Sequence, residues 1–216
     1  MLKSAVVAVV LAQGLWVVLG GSTHLPREAT ALLLASLVLA SGFSLHPASE
    51  GRSGVGELVI WCLALAIGAT ALVAFRGREN SDPILALRVG SAVAVLALVL
   101  GSAHRLLARL LGSGDRARLA LAVALGLAGA APVWLGPLAD RLGSRAFVNG
   151  VLWASPLGYL ASMTEYDYLR SRWFYVHSPV GSLRFDAPPK GRTTAAYLLL
   201  GSLLLGAEHV RSRCRR

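Results

Sequence analysis

The sequence predicts an all-α, polytopic membrane protein with about six transmembrane helices and one re-entrant or interfacial helical segment. Three observations carry this prediction. Only 15% of the residues are charged and 55% are hydrophobic, against about 25% charged in an ordinary soluble domain. The apolar residues gather into repeated runs near the 20-residue length that crosses a hydrocarbon core. Polar, Gly-rich and Pro-rich pieces fall between those runs. One transmembrane domain, 1–216, is expected, with an aromatic-rich outer-face segment over 137–192 inside it.

The first apolar run covers 4–20. Gln13 and Trp16 lie inside it, and it ends in Gly20-Gly21 without an A-x-A cleavage box. These features predict a retained helix, not a signal peptide. A connector with Pro26, Arg27 and Glu28 leads to the second run, 29–45. The link HPASEGRSGVGE has loop composition. The third run, 58–75, is followed by the polar turn RGRENSDP, whose Pro83 suits the first position of a helix. The fourth run, 84–103, leads into His104, Arg105, Arg109, Arg116 and Arg118. Arg105 and Arg109 stand four apart and share one helical face, so a helix is expected to leave the bilayer and turn at 112–114. The fifth run, 119–135, breaks near Pro132 and Pro137. Residues 146–163 are weakly apolar and interrupted by Asn149, Ser155-Pro156 and Gly158. That suits half-crossing or lying in the interface. The last span is 193–207, and a basic tail follows it.

Counting bases in short loops orients the chain. With six spans and 146–163 not crossing, Lys3, Arg52, Arg105, Arg109, Arg116, Arg118 and the tail arginines fall inside. Arg27, Arg76 and Arg78 fall outside. Both termini are then cytoplasmic and the protein is integral to the cell (inner) membrane. The net charge of +10 sits at the ends of apolar runs, so it implies a lipid bilayer and not nucleic acid as partner.

Several chemistries are absent from the sequence. Cys62 lies in an apolar run and Cys214 in the arginine tail, and no His/Cys spacing suits a metal. No Walker-type loop, GxSxG elbow or HExxH occurs. Charges within spans mark ion and proton paths, and this chain has almost none. Enzyme activity and cofactors are therefore not expected. Glu165, Asp167 and Asp186 share the 149–192 stretch with His177. A catalytic pairing there competes with an interfacial aromatic belt of Tyr159, Tyr166, Tyr168, Trp173, Phe174 and Tyr175. EYDYLRSRWFYV is dense enough in aromatics for a short amphipathic helix on the membrane, and SPVGSLRFDAPPKG for an extended segment stopped by Pro188-Pro189.

Ser155-Pro156-Leu157-Gly158-Tyr159-Leu160, followed by a last helix ending in Arg211, Arg213, Arg215 and Arg216, resembles the membrane subunits of ABC-2 type transporters. Those subunits have six helices, a re-entrant element between the fifth and sixth, and an (N/S)-P-L-x-Y-L stretch there. Residues 50–58, EGRSGVGEL, are similar to the family's acidic loop that contacts the ATPase. The chain departs from the pattern in lacking an interface helix before the first span and in its long aromatic stretch after SPLGYL.

The resemblance implies a permease-type export subunit that works with a separate ATP-binding subunit and forms a homo- or hetero-oligomer. Its substrate would be lipid-like or amphipathic. Coupling to the ATPase would fall to Glu50, Arg52, Glu57, Arg105, Arg109 and Arg116. Outer-face contacts to substrate or partner would fall to Pro156, Tyr159, Asp167, Arg170, Trp173 and His177. The alternatives are a non-catalytic accessory subunit of a larger respiratory, photosynthetic or other complex, and an interfacial enzyme using Glu165, Asp167 or His177.

Overall fold

The computed structural model describes residues 27–45, 55–76, 82–170 and 186–213. The expected first span, 4–20, lies outside them. Among the described residues the secondary structure is helical and no strand occurs. We number the helices α1 (Arg27–Leu45), α2 (Val55–Arg76), α3 (Pro83–Leu111), α4 (Gly114–Trp134), α5 (Gly136–Leu142), α6 (Arg145–Ala154), α7 (Pro156–Thr164) and α8 (Lys190–Arg213). A 3-10 turn covers Tyr168–Arg170.

Helix α3 is the axis of the bundle. Its start follows from local chemistry. Asp82 accepts hydrogen bonds from the Ile84 and Leu85 amides at 3.0 and 3.1 Å, and Pro83 occupies the first turn, where no amide is needed. Its end follows from Gly112, which takes φ +66 and terminates the helix. The helix has 29 residues, about 43 Å at 1.5 Å per residue. It therefore runs on past Ala103, where the apolar run ends, and carries Arg105 and Arg109 on its last turns.

α3 packs against α1, α2, α4, α7 and α8. Its Val89, Ala92, Val93, Leu96 and Ala97 meet Leu34 and Ala35 of α1, Cys62 and Ala69 of α2, Leu121 of α4, and Tyr159 and Leu160 of α7 in one core. Small residues allow the close approach. A methyl at Gly90 would strike the Thr70 hydroxyl and lie 3.0 Å from the Ala66 carbonyl. A methyl at Gly201 of α8 would lie 3.1 Å from Leu98 of α3.

α4 behaves differently. Among its described side chains only Ala117, Leu121 and Ala131 are buried, while Leu119, Val123 and Leu127 stand 54–69% exposed. The small residues of the fifth run therefore do not match those of the fourth. A methyl at Gly126 or Gly129 would meet nothing.

Residues 146–163 do not form one helix. The chain breaks at Ser155, which is extended (φ −77, ψ 124) and caps α7 by accepting from the Gly158 amide. Pro156 begins α7. The 10 residues of α6 and 9 of α7 reach about 15 and 14 Å, each well short of a 30 Å hydrocarbon core. The break is tight, because a methyl at Gly158 would collide with the Leu152 carbonyl.

Two expectations are corrected here. The stretch EYDYLRSRWFYV, expected as a short amphipathic helix, is not α-helical over 165–170, and its remainder, 171–176, lies outside the described residues. Glu165 takes φ +60 and ends α7, and a 3-10 turn follows. The last helix starts at Lys190, immediately after Pro188-Pro189, and not at Thr193.

Two helices among the described residues are long and apolar enough to cross a membrane, Val55–Ala74 and Pro83–Leu111.

Candidate functional site

The charged side chains of α3 and α8 gather in two layers. At one end, Glu165 accepts from Arg88 of α3 at 2.7 Å and from Lys190 at the start of α8. At the other, Glu208 of α8 pairs with Arg105 at 3.0 Å and Arg109 at 2.7 Å. Arg109 also donates to the Glu208 carbonyl at 3.4 Å. The pairing at both ends means that α3 and α8 run parallel.

The two layers differ in burial, which decides their strength. The Glu208 side chain is 4% exposed, Arg105 11% and Arg109 23%. Such a group resists the loss of Glu208, because two largely covered arginines would lose the carboxylate they share. Glu165, Arg88 and Lys190 are 41–57% exposed, so water screens them and they add little to stability. The Arg88 layer therefore orients the end of α7 against α3 and α8, while the Glu208 layer joins two helices.

Hydrogen bonds from Lys190 and Arg88 hold the Glu165 carboxyl below its ordinary pKa. A depressed carboxyl stabilises the fold at neutral pH and loses that contribution as pH falls through its folded-state value. A small acid-induced fall in the thermal midpoint is therefore expected. Glu165→Gln should remove part of that fall. A pH profile of unfolding identical in the variant and the parent would refute the assignment.

Next to Glu165, the core side of α7 is held by tyrosines. Tyr159 is fully buried and lies 3.0 Å from the Thr194 hydroxyl. Thr194 spends its single proton on the Lys190 carbonyl at 2.7 Å, so Tyr159 is the donor. Its ring meets that of Tyr197 at 5.0 Å. Tyr197 in turn donates to the Ala154 carbonyl at 3.1 Å, across the helix break. Asp186 fastens the chain before α8 to α6. Its carboxylate accepts from Arg145 at 2.5 Å and Asn149 at 3.1 Å, its amide donates to Asn149 at 2.9 Å, and its carbonyl accepts from Trp153 at 3.4 Å. Arg145 and then Asn149 lower the Asp186 pKa. Between these contacts lies a cavity of about 290 Å³, lined in part by Gly158, Ser162, Glu165, Asp167, Pro188 and Lys190.

The expected site residues divide between the two ends. Arg105 and Arg109 lie in the Glu208 layer. Arg116 is exposed on the first turn of α4, beyond the Gly112 corner. Glu57 is exposed on the first turn of α2, next to Leu58, which packs at Gly101 near the same end of α3. Glu50 and Arg52 lie outside the described residues. At the Arg88 end, Pro156 is half-buried and Asp167 exposed. Tyr159 is not a surface contact and is no part of an aromatic belt. It is enclosed because its hydroxyl is satisfied by Thr194 and its ring by Tyr197. Arg170 lies in the 3-10 turn. Trp173 and His177 lie outside the described residues, so a pairing of His177 with a carboxylate does too.

Glu208 is the residue that the sequence does not single out. The one signal for it is a lone carboxylate where the last apolar run gives way to the basic tail. Among the described residues no group of three or more His, Cys, Asp or Glu side chains is placed to hold a metal. No protein-family model matches the chain, and neither a curated protein nor a solved structure matches it.

Proposed function

We propose that this protein is an integral membrane subunit of the permease type, in an export complex driven by a separate ATP-hydrolysing subunit. It would have no enzymatic activity of its own. The spans are 4–20, α1, α2, α3, α4 and α8, with α6–α7 as the re-entrant element and both termini cytoplasmic. One observation carries the reading: the spacing of the two charged layers. Arg88 and Arg105 are 17 residues apart on α3, and Lys190 and Glu208 are 18 apart on α8. Both separations are about 26 Å along a helix, close to the roughly 30 Å hydrocarbon core. Between its layers α3 carries no Asp, Glu, Lys or Arg, and α8 carries only Arg192, two residues from its end.

The permease reading is supported by the break at Ser155-Pro156 and by the packing of α7 on α3. It is also supported by the exposed positions of Glu57 and Arg116 at the Glu208 end, where an ATPase would dock. The substrate would be lipid-like, because the helices offer few polar ligands. A second reading, an accessory subunit of a larger complex, is favoured by the apolar faces left open on α2 and α4, where Ile60, Ile67 and Leu119 are 68–69% exposed.

Affinity capture of the full chain from native membranes, read by mass spectrometry, separates the two. A stoichiometric ATP-binding subunit is expected. Capture of cofactor-bearing subunits without an ATPase would replace the export reading with the accessory one.

A further inference from the structure

A second cavity, of about 460 Å³, lies between α6 and α8. Its α8 wall is a single stripe of Arg192, Thr193, Ala196, Tyr197 and Leu200, and Trp153 of α6 faces it. Positions one, four, five and eight beyond Arg192 fall on one side of a helix. The trough therefore runs along α8 and not around it.

Its chemistry is divided along its length. Arg192 is the one charged residue among the described lining. It is exposed, and no ion pair joins it to a carboxylate among the described residues. The Asp186 carboxylate, on the chain leading into α8, is taken by Arg145 and Asn149. Beyond Arg192 and Thr193 the walls are Trp153, Ala154, Ala196, Tyr197 and Leu200, mainly apolar. Trp153 donates its indole proton to the Asp186 carbonyl, which leaves the ring as wall. Tyr197 donates to the Ala154 carbonyl and packs on Tyr159, so the floor is set before anything binds. From Arg192 to Leu200 the trough extends about 12 Å, most of one leaflet of a 30 Å hydrocarbon core.

We propose that this trough is a binding site for one anionic phospholipid of the leaflet at the Arg88 end. Arg192 receives the headgroup phosphate, for which its planar fork is suited. One acyl chain lies against Trp153, Ala196 and Leu200. The proposal rests on the membrane reading above, because it takes the Arg88 layer as the bilayer surface. It adds a specific lipid and the residues that select it. Phosphatidylcholine offers the same phosphate but adds a trimethylammonium that repels the guanidinium and cancels the net charge, so phosphatidylglycerol is preferred over phosphatidylcholine of the same chains.

The test uses the full chain purified in mild detergent, with retained lipid read by native mass spectrometry after addition of phosphatidylglycerol or phosphatidylcholine. The parent should hold one phosphatidylglycerol per chain. Loss of a charge-assisted contact in Arg192→Gln should weaken it about tenfold. Ala196→Phe, which fills the trough, should abolish retention at unchanged helical circular dichroism. Equal retention by the parent and Arg192→Gln would overturn the site, and this exposed substitution keeps the test valid if Ala196→Phe fails to fold. Alkaline carbonate washing of native membranes tests the underlying reading separately. If the parent stays in the pellet while its lipid binding ignores both substitutions, only the trough proposal falls. If the parent washes off, both fall.

Discussion

Glu208→Ala should lower the unfolding free energy by about 3–5 kcal/mol, the range for removing one member of a buried ion pair. In a chain of this length that corresponds to a thermal midpoint about 6–20 °C lower. The expectation comes from the burial of Glu208 beneath two largely covered arginines. Arg105 and Arg109 cannot both turn to water from 11% and 23% exposure, so the substitution takes from both the carboxylate they share between α3 and α8. Replacing all three residues by Met removes the two charges along with their carboxylate and restores apolar packing. The triple variant should therefore be more stable than Glu208→Ala, even though it carries more changes. Thermal unfolding in detergent, followed by circular dichroism, gives both values. A loss under about 1 kcal/mol for Glu208→Ala would show a solvated, surface-type group and remove the reason for treating α3 and α8 as joined there.

Tyr159→Ala should cost a similar amount, about 3–5 kcal/mol, as expected for truncating a fully enclosed aromatic ring. Its effect should be concentrated at the break between α6 and α7. Tyr159 stands four residues after Ser155 and bridges α7 to α8 through Thr194 and Tyr197. Tyr159→Phe keeps the ring and removes only the hydroxyl, so about 0.5–1.5 kcal/mol is expected. Thr194 keeps its bond to the Lys190 carbonyl in that variant. The pair separates packing from hydrogen bonding. If Phe proved as damaging as Ala, the hydroxyl would be the principal contribution and the ring packing secondary. In the export reading, Tyr159→Ala should also loosen the re-entrant element. Limited proteolysis between α6 and α7 should then increase.

The α-helical class was legible because it depends on composition and run length. The bounds of α3 were legible at both ends, since Pro83 and Gly112 act through backbone geometry within a few residues. Ser155-Pro156 was legible as an interruption for the same reason. Helix faces were not legible. Gly90 and Gly126 look alike in sequence, yet one meets Thr70 and the other open space, because α3 is surrounded and α4 is not. Tyr159 looked like a surface aromatic among others. Its enclosure depends on Thr194 and Tyr197, more than thirty residues later in the chain.

The pairing of charges shows the same division. Arg105 and Arg109 announced a shared helical face by their spacing alone. Glu208 gave no comparable sign, since its meaning depends on α8 lying parallel to α3 in a matched register. A repeat of apolar runs, a capping aspartate, a glycine stop and a serine–proline break are local. Their effects reach only a turn or two along the backbone, so the sequence by itself determined them. The Glu208 clamp, the Glu165 junction and the Arg192 trough each join groups from helices distant in sequence. Only the tertiary structure decided those, because such contacts exist once α3 has gathered its neighbours around it.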